Sequence, residues 1–192
     1  HKSGVERSRR PRRELPPIDD ARLQELALRY VGKYATTRAK LGTYLQRKIR
    51  ERGWSGDRAA DIAALTARFA ELGYVDDAAY ALGQSRSLAA RGYGKRRLAD
   101  RLRQAGVDEA DASEARRLAD LEAVRAALRL AQRRRLGPFA TVEPDRSQRE
   151  KWVAAMIRAG HGFGLARAIV AMPPGAHIDE DQLTEFIQPT DD

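Results

Sequence analysis

Within residues 91–106, Arg91, Lys95, Arg96, Arg97, Arg101 and Arg103 carry positive charge and only Asp100 carries negative charge. Leu98 and Leu102 stand four residues apart and turn one side of this segment inward, so the cations spread over the sides left outward. Guanidinium and ammonium groups at such density suit phosphate oxygens or carboxylates. Gly92 and Gly94 flank Tyr93 in a turn that would leave this ring exposed as an aromatic contact. A second cationic cluster, Arg125, Arg129, Arg133, Arg134 and Arg135, lies opposite a stripe of Leu121, Val124 and Leu128. The candidate partner-facing set is therefore Arg91, Tyr93, Lys95, Arg96, Arg97, Arg101, Arg103, Arg125, Arg129 and Arg133. A merely solvated helix face is the plain alternative for both clusters.

Other chemistries find no matching pattern. The chain has no cysteine, which excludes disulfides and thiolate sites and suits a reducing compartment. A phosphate-binding loop needs a glycine six residues before a Lys-Ser or Lys-Thr, but Ala89 holds that place before Lys95 and Arg96 follows it. Gly160-His161-Gly162-Phe163-Gly164 follows a helical pattern, not a strand, and reads as a helix-to-helix turn. His161 and His177 lack partners at metal-ligand spacing. The acidic pairs Asp76-Asp77 and Asp108-Glu109 stand where helices begin, where capping explains them. Tyr30, Tyr34, Tyr44 and Tyr80 fall on or near apolar stripes and read as core residues. No active site, cofactor or metal is expected.

The elements that must carry the basic segments follow a helical period. Leu23, Leu26, Ala27, Tyr30, Val31 and Tyr34 form one stripe behind a cap at Asp19 or Asp20. Thr36 or Thr37 caps a second helix with Leu41, Leu45 and Ile49 in line, closed by Gly53. A third helix turns Ile62, Leu65, Phe69 and Leu72 inward and ends at Gly73. Leu45, Ile49 and Gly53 are echoed by Leu98, Leu102 and Gly106 and by Trp152, Met156 and Gly160, with the glycines 53 and then 54 residues apart. Such spacing suits one three-helix unit repeated three times. The second unit adds helices at 77–91, capped by Asp76, and 109–118, capped by Asp108. The third adds 121–135, capped by Asp120, and 164–171, with Ser147 and Glu150 as a capping box for its middle helix.

The expected architecture is all-α: three tandem three-helix repeats stacked as an elongated, curved rod, over 19–75, 76–119 and 120–172. The helix at 37–52 is longer than its counterparts and would protrude. Residues 1–18 form a disordered basic arm, and 173–192 an acidic C-terminal tail. A net charge of +9 and a pI near 10.2 favour acidic partners. No apolar run spans a bilayer and the arginine-rich start lacks a following apolar region, so a cytoplasmic monomer without membrane contact is expected. Three-helix units with a short turn before a basic helix are also similar to helix-turn-helix DNA readers. Base-edge readers, however, mix Asn, Gln, Ser and Thr with Arg, whereas the outer sides of 95–105 are nearly all cationic.

Residues 72–109, LGYVDDAAYALGQSRSLAARGYGKRRLADRLRQAGVDE, carry a Leu-Gly turn with paired aspartates, then Ser-Arg, Arg-Gly-Tyr-Gly, Arg-Arg-Leu and a closing Ala-Gly-Val-Asp. This segment resembles the RecX family, regulators of the RecA recombinase. The match weakens over 25–70 and 120–171, and Lys95 stands where relatives often have proline. The resemblance implies tandem three-helix repeats that bind in the groove of the bacterial RecA filament and promote its disassembly. It also implies inhibition of ATP hydrolysis, strand exchange and coprotease activity, and hence negative control of recombination and the SOS response. Single- or double-stranded DNA is a weaker expected partner. The alternative is a helix-turn-helix-like DNA binder that affects RecA only by competing for DNA.

Overall fold

The computed structural model describes residues 15–187. Among these residues the regular structure is helical: α1 (Asp20–Lys33), α2 (Arg38–Arg52), α3 (Ile62–Glu71), α4 (Asp77–Ala90), α5 (Lys95–Gln104), α6 (Glu109–Leu121), α7 (Ala123–Arg134), α8 (Arg146–Arg158), α9 (Phe163–Ala171) and the short α10 (Glu180–Thr184). One isolated bridge joins Ile18 to Trp54.

Short polar side chains decide where most helices begin. Asp19, Thr37, Asp61, Asp76, Asp108 and Asp145 each accept a hydrogen bond from the backbone N–H three residues on, at 2.7–3.2 Å. Each contact satisfies an N–H that the helix leaves orphaned. Two expected caps are displaced. The cap of α8 is Asp145, not Ser147, and Glu150 pairs with Arg146 at 3.0 Å. Asp120 caps nothing, because α6 continues past 118 to Leu121 and breaks only at Glu122. Leu121 consequently belongs to α6 and is 77% exposed, so it is not part of the inward stripe of α7.

Each group of three helices closes its own apolar cluster. Leu23, Leu26, Leu41, Leu45 and Phe69 fill the first; Tyr80, Leu88, Leu98, Leu102 and Ala115 fill the second; Leu128, Leu130, Met156, Leu165 and Ile169 fill the third. Burial of each such leucine contributes about 1.5–3 kcal/mol. Leu72 departs from the expected inward stripe: α3 ends at Glu71, and the Leu72 side chain turns out before the left-handed Gly73. Helix α2 has 15 residues against 10 in α5 and 13 in α8, the expected order of lengths.

The ends of the stack are closed by segments assigned to the tails. Residues 1–14 of the basic arm lie outside the described residues. Ile18, at its end, is fully buried in the first cluster and exchanges backbone hydrogen bonds with Gly53 and Ser55, both 2.9 Å. At the other end α10 lays Leu183 into the third cluster. The acidic stretch to Ile187 is therefore packed, because its apolar residues Ile178, Leu183 and Ile187 have a core to join.

The units meet through one joint used twice. The turn after α5 seats on the start of α2, where the Thr37 hydroxyl donates to the Ala105 carbonyl at 2.6 Å. The turn after α8 seats on the start of α5, where the Gly94 N–H donates to the Ala159 carbonyl at 2.9 Å. The three middle helices thus meet end to start.

Candidate interaction surface

Helix α5 is held by Leu98 and Leu102, 2% and 1% exposed, and turns its cations outward as their spacing predicts. Arg96, Arg97, Arg101 and Arg103 are exposed. Arg101 reaches Gln84 at 3.2 Å, and Arg103 pairs with Asp100 at 3.1 Å on the same helix. Such exposed pairs contribute little to stability and leave the guanidinium groups available to a partner. Beside these side chains a groove of about 500 Å³ opens between α5, α6 and α9. Arg96, Arg103 and Arg116 stand on its rim, and Leu98, Leu165 and Phe186 supply apolar lining. An anionic group beside an apolar one matches that arrangement.

The start of the segment has a different job. Tyr93 is half-buried and packs against both the second and third clusters, so it is not the exposed aromatic expected of it. The guanidinium carbons of Arg91 and Arg97 lie over its ring at 5.5 and 5.6 Å. A Cβ on Gly94 would collide with the Gly160 carbonyl, and one on Gly92 would come within 2.9 Å of the Leu130 nitrogen. The two glycines permit close approach of the third unit to the second. His161, 2% exposed, donates from Nε2 to the Gly92 carbonyl at 2.9 Å, and burial pushes its pKa below the ordinary histidine value. Lys95 is half-buried, with Nζ 3.0 Å from Asp120. Gly-Tyr-Gly thus forms the seam between units, while Lys95 braces α5 against α6 within the second unit.

The second cationic cluster also belongs largely to this seam. Arg129 donates to the Ala89 carbonyl at 3.2 Å and Arg133 to the Arg91 carbonyl at 2.6 Å, both at the end of α4. Arg125 lies between Glu122 at 3.5 Å and Glu180 at 3.3 Å, and both carboxylates hold its pKa above the ordinary arginine value. The structure therefore leaves Arg96 and Arg103 exposed beside the groove and Arg97 and Arg101 exposed toward Tyr93 and Gln84, and uses Lys95, Arg129 and Arg133 internally.

The periodic pattern gave no sign of Arg38. Its backbone N–H and its guanidinium both meet Asp77, at 2.9 and 3.3 Å, and its Nη2 reaches Asp111 at 2.7 Å and Asp108 at 3.2 Å. These partners lie 39 to 73 residues away in the chain, so only the folded stack shows the network. Among the described residues no three His, Asp or Glu side chains gather as a metal site, and no helix is long and apolar enough to cross a membrane.

The chain is an all-α tandem array of small helical units, with Arg96, Arg97, Arg101 and Arg103 exposed on the middle one. Residues 76–115 match the family model for the second three-helix domain of RecX. The chain is 33% identical to the regulatory protein RecX of Myxococcus xanthus (strain DK1622) over 176 residues, covering 86% of this chain and 91% of that protein. It is 36% identical to the regulatory protein RecX of Agrobacterium fabrum over 98 residues, covering 51% and 52%. The crystal structure of RecX from Lactobacillus salivarius superposes with a TM-score of 0.57 at 18% identity, over 78% of this chain and 93% of that one. A second crystal structure of regulatory protein RecX gives 0.54 at 18% identity, over 78% of this chain and 72% of that one. The chain belongs to the RecX family of regulatory proteins.

Proposed function

We propose that this protein binds the RecA nucleoprotein filament and lowers its ATP hydrolysis, strand exchange and coprotease activity, acting by binding and not by catalysis. The observation that carries the reading is the exposure of Arg96, Arg97, Arg101 and Arg103 on one helix of a tandem stack whose family is regulatory. Such a stack is able to touch successive protomers of a filament, and a cationic helix complements acidic protein surface and phosphate. On this reading the groove beside α5 receives part of the partner, and Arg129 and Arg133 keep the second and third units in register.

Co-sedimentation tests the reading. The protein should pellet with RecA filaments assembled on single-stranded DNA, and charge reversal at Arg96, Arg97 and Arg101 should leave it in the supernatant. A protein that stays in the supernatant beside intact filaments would overturn the proposal.

A further inference from the structure

Three tyrosines of the first unit form a ring cluster remote from α5 in sequence. The rings of Tyr30 and Tyr44 stack with centroids 4.2 Å apart and planes 18° from parallel, and Tyr34 tilts against Tyr30 at 5.2 Å. Tyr30 and Tyr44 are half-buried and pack on the first cluster. Tyr34 is not: it closes α1 as the cap residue and keeps 49% of its surface exposed. Core packing explains the first two rings and leaves the third without a reason to be aromatic.

Cations stand around these rings. Lys33 Nζ lies 5.3 Å from the centre of Tyr34, and Arg47 Cζ and Lys48 Nζ lie 5.7 and 5.8 Å from the centre of Tyr44. Glu51 is paired with both Arg47 and Lys48, so one carboxylate is shared between two cations. An open ring tilted against a stacked pair, with flexible cations around the cluster, meets both requirements of an unpaired nucleic-acid strand: a flat surface for a base and positive charge for the phosphates. Duplex DNA keeps its bases stacked inside and offers such a ring only its ends.

We propose that Tyr34, backed by Tyr30 and Tyr44 and flanked by Lys33, Arg47 and Lys48, is a contact surface for single-stranded nucleic acid. One base stacks on Tyr34, and neighbouring phosphates meet the cations. The surface is distinct from the α5 arginines and does not depend on the RecA reading. It would hold for a protein that leaves the filament untouched.

Fluorescence anisotropy with the full chain tests it, using two labelled strands of equal length: oligothymidylate of about 20 nucleotides, enough to exceed one stacking site, and an abasic strand with the same phosphates. The thymidylate should bind at least about fivefold more tightly than the abasic strand, the lower end of what one base on an aromatic ring contributes. Tyr34→Ala should abolish that preference, Tyr34→Phe should retain it, and Lys33→Glu should weaken both strands. The exposed position of Tyr34 lets circular dichroism verify that these variants keep the parent's helix content. Equal binding of the two strands by the parent, or a preference that survives Tyr34→Ala, would overturn the proposal. So would binding that responds only to reversal of Arg96 and Arg97, which would put the strand on α5.

Discussion

The Thr37 hydroxyl and the Ala105 carbonyl meet at 2.6 Å in a buried contact that joins the first unit to the second. Thr37 also caps α2, accepting from the Lys40 N–H at 3.2 Å, so one side chain starts a helix and fastens a neighbour. Thr37→Val keeps the shape and removes both bonds, leaving the Ala105 carbonyl buried without its partner. The expected cost is about 1–3 kcal/mol, whereas Thr37→Ser should recover most of it. Trp54 in the first unit and Trp152 in the third are the two tryptophans of the chain, and urea titration followed by fluorescence reads the change. In a Trp152→Phe background the signal reports the first unit alone.

Arg38 fastens the same joint by charge. The Asp77 side chain, 2% exposed, takes both a backbone and a guanidinium hydrogen bond from it. Arg38→Ala leaves this carboxylate buried with only the backbone donor, at an expected cost of about 1–3 kcal/mol. Adding Asp77→Asn to Arg38→Ala should return part of that loss, because the unpaired charge is gone. A double-mutant cycle in urea measures the coupling, and additive losses would mean that the pair contributes nothing jointly.

His161 should make the second joint sensitive to acid. Burial lowers its folded pKa below the unfolded value near 6.5, so between the two values the unfolded chain binds a proton that the folded chain does not. Stability therefore falls as pH drops through the unfolded pKa and stops falling below the folded one. Replacing His161 by Gln should flatten this part of the stability profile, beginning as pH falls through the unfolded value near 6.5. Denaturant midpoints above and below that value check the sign.

The two cationic clusters should respond differently to substitution. Reversing Arg96, Arg97 and Arg101 should change stability by less than about 0.5 kcal/mol per site while weakening partner binding. Arg133→Ala removes the donor to the Arg91 carbonyl and should lower stability by about 0.5–1.5 kcal/mol, because a neutral backbone acceptor loses its bond. Thermal denaturation alongside filament co-sedimentation separates the two behaviours.

How far the sequence reveals this molecule depends on the range of the interaction. Local signals were legible: the i, i+4 leucines of α5, the Asp and Thr caps and the glycines after the middle helices each act within one turn of helix. The inner joint was not, because Tyr93, Gly94, Arg129 and Arg133 look like surface residues until the third unit arrives. Gly94 and Ala159 are the example: two small residues whose meaning is a hydrogen bond between distant turns. Asp120 misled as a cap because a cap and an ion-pair partner for Lys95 carry the same local mark. Tyr34 misled in the opposite direction, since its place on the apolar stripe of α1 hides the fact that the helix has ended before it. The open arginines of α5 were recoverable from spacing alone.

ATP hydrolysis by preformed RecA filaments tests the central claim most directly, with this protein added below the RecA concentration and free single-stranded DNA in excess. Hydrolysis should fall under these conditions, since a protein acting on the filament is effective while most DNA remains uncovered. Hydrolysis that holds steady until the DNA is saturated would contradict the account and mean that the protein competes for DNA.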